Sequence, residues 1–383
     1  MKTKTLWAVL PLMLLCFTAS AKTTLQRQQV MEVMARVADW QIRTFDTPLR
    51  LATQDNRSEA DLDWTCGALY IGMYDWAELS QQTTGTTKYF DWLKSVGDRN
   101  KWHVGSNVYH ADHICVAQTW LRMAARYKDD QMAVSALERA KQVLENPATQ
   151  YGLNYDWRTN PGTTKRWCWC DALFMAPPVY LQVYNRTGDK RYLDFMKSEY
   201  KALTRILFDP TDHLYYRDSR YIGMQEKNGK PVYWGRGNGW VIAGLANMLK
   251  VYPRKSDPEG YKYFRDIFVK LANSLAALQQ PDGYWHASLL DPASYHSPET
   301  SSTGFITYGL AYGVNAGLLS KSKVMPVVEK GWNALCRAVD TDGKLGWVQP
   351  VGADPQKVTR DNTAVYGIGA LLSAGSEICK MLK

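Results

Sequence analysis

Histidine and cysteine are scarce in this chain, at 6 and 7 of its 383 residues. Cys16 sits in an apolar N-terminal run, which leaves Cys66, Cys115, Cys168, Cys170, Cys336 and Cys379. Six cysteines are too sparse here for a disulfide scaffold. Cys168 and Cys170 are separated by one residue, the wrong spacing for a Cys-x-x-Cys redox pair. No histidine lies beside them at ligand spacing, so a metal centre lacks support and mostly buried thiols are expected. No apolar run after the N-terminus is long enough to span a membrane. No Lys/Arg-rich run or nucleic-acid motif occurs, which argues against a nucleic-acid partner.

What is abundant is aromatic and apolar. The chain holds 15 Trp and 23 Tyr, and its apolar content of 45% is ample for a large core. Excess Trp and Tyr often line grooves for amphipathic ligands such as sugars, although core packing also uses them. The N-terminus pairs Lys2 and Lys4 with an apolar run from Leu6 to Phe17 and a small-residue site at Ala19, Ser20 and Ala21. Residues 1–21 therefore read as a secretory signal peptide, and the mature protein is expected to be exported, most simply to a bacterial periplasm. Loss of Lys2 and Lys4 lowers the formal charge from +9 to +7. Such an excess fits an anionic small ligand and fits plain solubility equally well.

The chain repeats itself weakly. Thr84, Gly85, Lys88, Tyr89, Asp91 and Lys94 recur in order as Thr187, Gly188, Arg191, Tyr192, Asp194 and Lys197, each set a turn followed by an amphipathic helix. Two helix types alternate. Charged amphipathic segments cover roughly 26–44, 88–97, 131–145, 190–207, 261–279 and 323–338. Segments apolar all round, rich in Gly and Ala, cover roughly 64–80, 112–127, 171–185, 237–251, 303–319 and 362–377. Helices without a polar face are buried ones. The economical closure is an all-α fold, an (α/α)6 barrel of six inner and six outer helices, as a single domain over residues 22–383. An open stack of hairpins is the alternative. Asp-Gly turns at Asp282 and Asp342, and the stretch 209–216, follow outer helices and predict short reversals over the barrel mouth.

In such a barrel all inner helices run the same way, so their starts meet at one end. Those starts carry Trp64, Asp112, Asp171, Arg236 with Trp240, the run from Glu299 to Ser302, and Asp361 with Asn362. Asp171 stands between a run of alternating tryptophan and cysteine (Trp167 to Cys170) and an apolar stretch that ends in Pro177 and Pro178. A carboxyl packed among apolar atoms loses water, its pKa rises, and it can then deliver a proton. The alternative is a helix-capping aspartate. Asp361, Asn362 and the Glu299 run also read as caps, and His110 and His113 as core histidines. Three glycines surround Arg236 between Trp234 and Trp240. That pattern reads as a receptor for a uronic acid or another anion, since a guanidinium forks onto a carboxylate.

Residues 169–178, 233–240 and 107–113 resemble motifs of the unsaturated rhamnogalacturonyl hydrolases, glycoside hydrolase family 105, whose relatives are the unsaturated glucuronyl hydrolases of family 88. The similarity runs from about residue 25 to the C-terminus. It implies an (α/α)6 barrel and an exo-acting enzyme. The implied substrate is an oligosaccharide left by a polysaccharide lyase, with a 4,5-unsaturated uronic acid at its non-reducing end. Asp171 matches the general acid/base, which would protonate C4 and activate the water that attacks C5. Asp112 matches a second acid that positions the water or ring hydroxyls and helps keep Asp171 protonated. Trp169, Trp234, Trp240 and Trp64 match aromatic positions around the sugar, Arg236 a substrate contact, and His213 falls near a family histidine. No metal or cofactor is implied. Two rivals remain: ordinary hydrolysis of a saturated glycan by Asp112 and Asp171 as an acid/base pair, and an exported glycan-binding protein without turnover.

Overall fold

Outer helices form because apolar residues recur every three or four positions. In the segment Lys190–Leu207 the buried side chains include Tyr192, Leu193, Met196, Tyr200, Leu203 and Leu207, one face of a 3.6-residue period. Inner helices have no such face. Thr300–Asn315 is buried continuously from Thr300 to Gly313, and Val365–Met381 from Val365 to Cys379.

A computed structural model describes residues 25–47 and 60–382; the expected signal peptide lies outside the described residues. The outer helices are α1 (Arg27–Thr44), α3 (Lys88–Arg99), α5 (Val134–Glu145), α7 (Lys190–Leu207), α9 (Pro258–Ala277) and α11 (Lys321–Arg337). The inner helices are α2 (Trp64–Thr84), α4 (Ala117–Tyr127), α6 (Pro177–Thr187), α8 (Gly235–Val251), α10 (Thr300–Asn315) and α12 (Val365–Met381). Successive inner helices pack on each other, and α12 returns to pack on α2. That closure makes the ring an (α/α)6 barrel and excludes the open stack. The seam is tight because glycines meet there: a Cβ on Gly369 of α12 would lie 2.2 Å from the Ala68 carbonyl oxygen of α2.

The weak repeat marks the inner-to-outer turns. Gly85 and Gly188 end α2 and α6 in the left-handed region, at φ 77° and 71°, where glycine carries no steric penalty. Two inner segments depart from expectation. The stretch expected to be helical from 112 is first a 3-10 turn, Ala111–Ile114, before α4. The stretch from 171 is broken into a short helical turn, Ala172–Met175, and α6. Pro177 and Pro178 are tolerated at the first positions of α6 but cannot donate to the carbonyls behind them. Gln118 of α4 donates instead to Phe174 O (2.8 Å) and Met175 O (3.1 Å).

The reversals after outer helices are present as isolated antiparallel bridges, Phe208 with Tyr215 and Val339 with Leu345. Gly283 and Gly343 occupy positive φ at the two Asp-Gly turns. Among the described residues no helix is long and apolar enough to cross a membrane. Five of the six remaining cysteines are buried, Cys336 is partly so, and all six are free thiols.

Candidate active site

The starts of α2, α4 and α6 open onto one cavity of about 510 Å³ at the N-terminal end of the inner ring. Leu62, Asp63 and Trp64 line it from the start of α2. Ser106, His110, Asp112 and His113 come from the approach to α4, and Trp169, Asp171 and Met175 from the approach to α6. Arg217 enters from the loop after α7, and Val351 with Gly352 from the loop before α12.

Asp171 does not cap the turn that follows it, since its side chain accepts no hydrogen bond from that turn's N–H groups. It is 7% exposed. Burial pushes its carboxyl above the ordinary aspartate range; Arg217, Arg236 and a hydrogen bond from Cys170 oppose the rise without cancelling it. The Cys170 thiol lies 3.4 Å from Oδ2, and Arg217 Nε 3.6 Å from the same oxygen. The upward push comes from dehydration rather than from a neighbouring acid. Asp112, in the same cavity, has its Oδ2 3.7 Å from His110 Nδ1. His110 also packs on Trp169, ring centroids 4.9 Å apart. Trp64 stacks on Tyr366 at 5.4 Å and meets the edge of Trp240 at 5.7 Å.

Backbone pairing sets Arg217 beside Asp171. Trp169 bridges Asp218 in antiparallel fashion, and Cys170 N donates to Arg217 O at 2.8 Å. Asp218, fully buried, accepts from Arg217 Nη1 at 2.7 Å and from Arg220 Nε at 2.9 Å. Tyr155 lies under the guanidinium of Arg217 at 4.7 Å.

The glycine-flanked arginine has a different place from the one its pattern led us to expect. Arg236 is fully buried and outside the cavity lining. It donates from Nη1 to Gln349 O (2.6 Å) and Tyr366 Oη (3.2 Å), and from Nη2 to Pro350 O (3.0 Å). Its guanidinium packs on Trp234 and Tyr366. Trp234 donates to the Gln349 side chain at 3.0 Å, and Trp240 is enclosed by Phe174 and Phe305. Neither tryptophan lines the cavity. Asn238 accepts from Tyr215 N (2.8 Å) and donates to Tyr215 O (3.0 Å). The motif therefore holds two rim segments from beneath: 215–218, which presents Arg217, and 349–352, which presents Val351. Gly235 lets a third segment approach closely, because a Cβ there would lie 2.5 Å from His286 O. His213 is also outside the lining; its ring stacks on Phe208 at 5.9 Å, in the reversal that precedes Arg217.

Glu299 is a cap, as one reading of the sequence held. Its carboxylate is fully buried and accepts from Ser301 N (3.0 Å), Ser302 N (2.7 Å) and Gln349 N (3.0 Å). Sequence reasoning missed Arg217, Asp63, Ser106, Met175, Val351 and Gly352, and left His110 and His113 as core residues. The signal for Arg217 was two arginines bracketing Asp218 directly after the reversal 209–216. Among the described residues no group of three or more His, Cys, Asp or Glu is placed to hold a metal ion.

Comparison with known proteins places this geometry. A family model described as Glycosyl Hydrolase Family 88 matches residues 33–382. The unsaturated 3S-rhamnoglycuronyl hydrolase of Alteromonas sp. (strain LOR) is 38% identical over 352 residues, which is 89% of this chain and 83% of that protein. The enzyme of the same description from Formosa agariphila is 35% identical over 333 residues, 84% of this chain and 85% of that one. A solved structure titled "Glycosyl hydrolase family 88 from Bacteroides vulgatus" superposes with a TM-score of 0.79 at 30% identity, over 94% of this chain and 100% of that one.

Proposed function

The chain belongs to glycosyl hydrolase family 88 and is a glycoside hydrolase. From that premise we propose that it removes a 4,5-unsaturated uronic acid from the non-reducing end of lyase-generated oligosaccharides, and that Asp171 is its general acid/base. The observation that carries the reading is a single buried carboxyl with a raised pKa, facing a roomy aromatic cavity beside a second acid.

The chemistry that suits this arrangement is hydration of a vinyl ether. Protonated Asp171 delivers its proton to C4 of the unsaturated ring. Positive charge develops at C5 and the ring oxygen. The Asp171 carboxylate so formed takes a proton from water as the water oxygen bonds to C5. The resulting hemiketal opens and releases the rest of the sugar. One group thus serves as acid and then as base, and regains its proton at the end. The anomeric carbon is not the reacting centre, so the separation of Asp171 from Asp112 does not set a stereochemical outcome. Asp112 is proposed to orient the water or the ring hydroxyls, with Trp169 and Trp64 against the sugar faces.

The test is direct. Purified protein is incubated with unsaturated disaccharides made by lyases from ulvan, pectin and glycosaminoglycans, and the ultraviolet absorbance of the conjugated double bond is followed. Absorbance should vanish with at least one substrate and persist with Asp171→Asn, while saturated uronides remain intact. Unchanged absorbance with every fragment, or turnover of saturated uronides, would overturn the proposal. Residues 1–21 further support export to a periplasm. Fractionation of a Gram-negative host expressing the full chain, with sequencing of the mature N-terminus, should find Lys22 first in the periplasmic fraction; an intact Met1 in the cytoplasm would count against it.

A further inference from the structure

A substrate carboxylate needs a cationic receptor, and the residue first expected to supply it, Arg236, has its Nη1 and Nη2 committed to backbone carbonyls beneath the rim. We propose that Arg217 is the receptor for the C5 carboxylate of the unsaturated uronate, and that it thereby fixes which ring carbon faces Asp171. The proposal rests on the reaction assigned above.

Three observations carry it. First, among the described residues Arg217 is the one lysine or arginine lining the cavity, whose other described charged groups are Asp63, Asp112 and Asp171, with His110 and His113 among the lining residues. Second, its guanidinium is aimed rather than loose. Asp218, itself fully buried, holds Nη1 at 2.7 Å, and the Tyr155 ring supports the guanidinium at 4.7 Å. Nε is buried and makes no hydrogen bond, and Asp171 at 3.6 Å is beyond hydrogen-bonding distance. With Nη1 occupied and Nε buried, Nη2 is the donor left for an anion in the cavity, through one charge-assisted hydrogen bond. Third, the placement suits the chemistry. In a 4,5-unsaturated uronate the carboxylate is borne on C5, next to C4. A receptor for that anion must therefore adjoin the acid that protonates C4, and Arg217 adjoins Asp171. Asp63 and Asp112, which also line the cavity, would repel the carboxylate, which favours the ring orientation that sets it on Arg217.

The test compares an unsaturated uronide with its methyl ester, which keeps the ring and the C4–C5 double bond but carries no charge. Wild type should prefer the acid over the ester by about 10- to 100-fold in kcat/KM, the scale of one charge-assisted pair. Arg217→Gln should fall by that factor on the acid, mainly through KM, and stay within about three-fold of wild type on the ester. Arg217→Lys, which keeps a charge for Asp218, should retain part of the preference and guards against a folding failure in the glutamine variant. If Arg217→Gln or Arg217→Lys loses activity equally on acid and ester, the arginine only supports the rim and the proposal is wrong. If wild type shows no preference for the acid, it is wrong as well, while the reaction assignment stands. Failure of wild type to consume either compound would remove both.

Discussion

The two ends of the barrel treat buried carboxylates in opposite ways. At the mouth, Asp171 is dehydrated and its nearest cation stands 3.6 Å away, so its pKa is raised. Toward the C-terminal ends of the inner helices, Asp75 and Glu377 are also buried, yet their pKa values are lowered. Burial acts upward on both, and cations overcome it: chiefly Arg122 for Asp75, and Lys250 with Lys380 for Glu377. The distances explain the difference. Arg122 lies 2.7 Å from Asp75 and Lys250 2.7 Å from Glu377. Tyr308, Asn315 and Ser373 complete the network with hydrogen bonds. Lys250 and Lys380 also sit in the last turns of α8 and α12, where the helix dipole favours a cation. The closed end is a satisfied plug that holds the ring together. The open end keeps one acid under-compensated, and that is the group with a proton to give.

Exchanging the charge at each end should break the comparison in different currencies of measurement. Asp171→Asn removes the transferable proton and nothing that holds the fold. Activity should fall by about 10²–10⁴-fold, the usual share of general acid–base catalysis, as read from loss of double-bond absorbance. Thermal melting at neutral pH should show the variant at least as stable as wild type, because an amide forgoes no ionisation when it is buried. A variant that loses stability instead would mean that Asp171 is a structural residue.

Asp75→Asn should do the reverse. It leaves Arg122 facing only Glu78, 3.3 Å away, and the Ser373 hydrogen bond. Breaking a fully buried pair costs about 3–5 kcal/mol; Arg122 keeps some contact with solvent, so about 2 kcal/mol is expected. Urea melts measure it, and kcat/KM of the folded enzyme should be unchanged.

The mouth's half of this contrast was legible in the sequence, the ion pairs at the other end were not, and the illegible part has a physical reason. Periodicity separated outer from inner helices because a helix packed on one side must alternate, whereas one packed on all sides must not. Alternation in turn placed Asp112, Asp171 and Trp64 at one end, since it fixes helix direction. What periodicity could not give was the path of the rim loops. Arg217 and Val351 reach the cavity through irregular backbone, held by Asn238 and Arg236 from beneath. A glycine-flanked arginine among tryptophans looks the same in sequence whether its fork meets a ligand or a backbone carbonyl. Only the loop at 349–350 decides between them, and it lies more than a hundred positions away. The break before α4 was equally hidden, whereas Pro177 and Pro178 marked the one before α6, which the expectation of a single helix over 171–185 passed over.

The motif arginine offers a smaller, sharper contrast with Arg217. Arg236→Lys retains a charge but cannot reach two carbonyls and a tyrosine at once. One or two buried acceptors lose their donor, which costs about 1–3 kcal/mol. The segment bearing Val351 should loosen, and KM should rise several-fold on acid and ester alike. A selective loss on the acid would show that Arg236, rather than Arg217, reads the carboxylate.

The smallest effect is a difference of slope with pH, and it follows from the signs at the two ends. Asp171 has a folded-state pKa above its unfolded value. Its contribution to stability is complete below the unfolded value and is lost as pH rises through the folded one. Asp75 and Glu377 have folded values below the unfolded ones, so their contribution is present at higher pH and lost as pH falls through the folded values. Melting temperatures between about pH 2 and pH 8 should therefore flatten on the alkaline side in Asp171→Asn and on the acid side in Asp75→Asn. The first ionisation has a second reporter. The stability loss sets in at the unfolded value of Asp171 and levels off at the folded one, and the acid is lost at that same folded value, so the alkaline midpoint of kcat/KM in wild type should fall where the Asp171 part of the stability curve levels off. A kcat/KM midpoint well away from that levelling would show that the proton used in turnover belongs to another group.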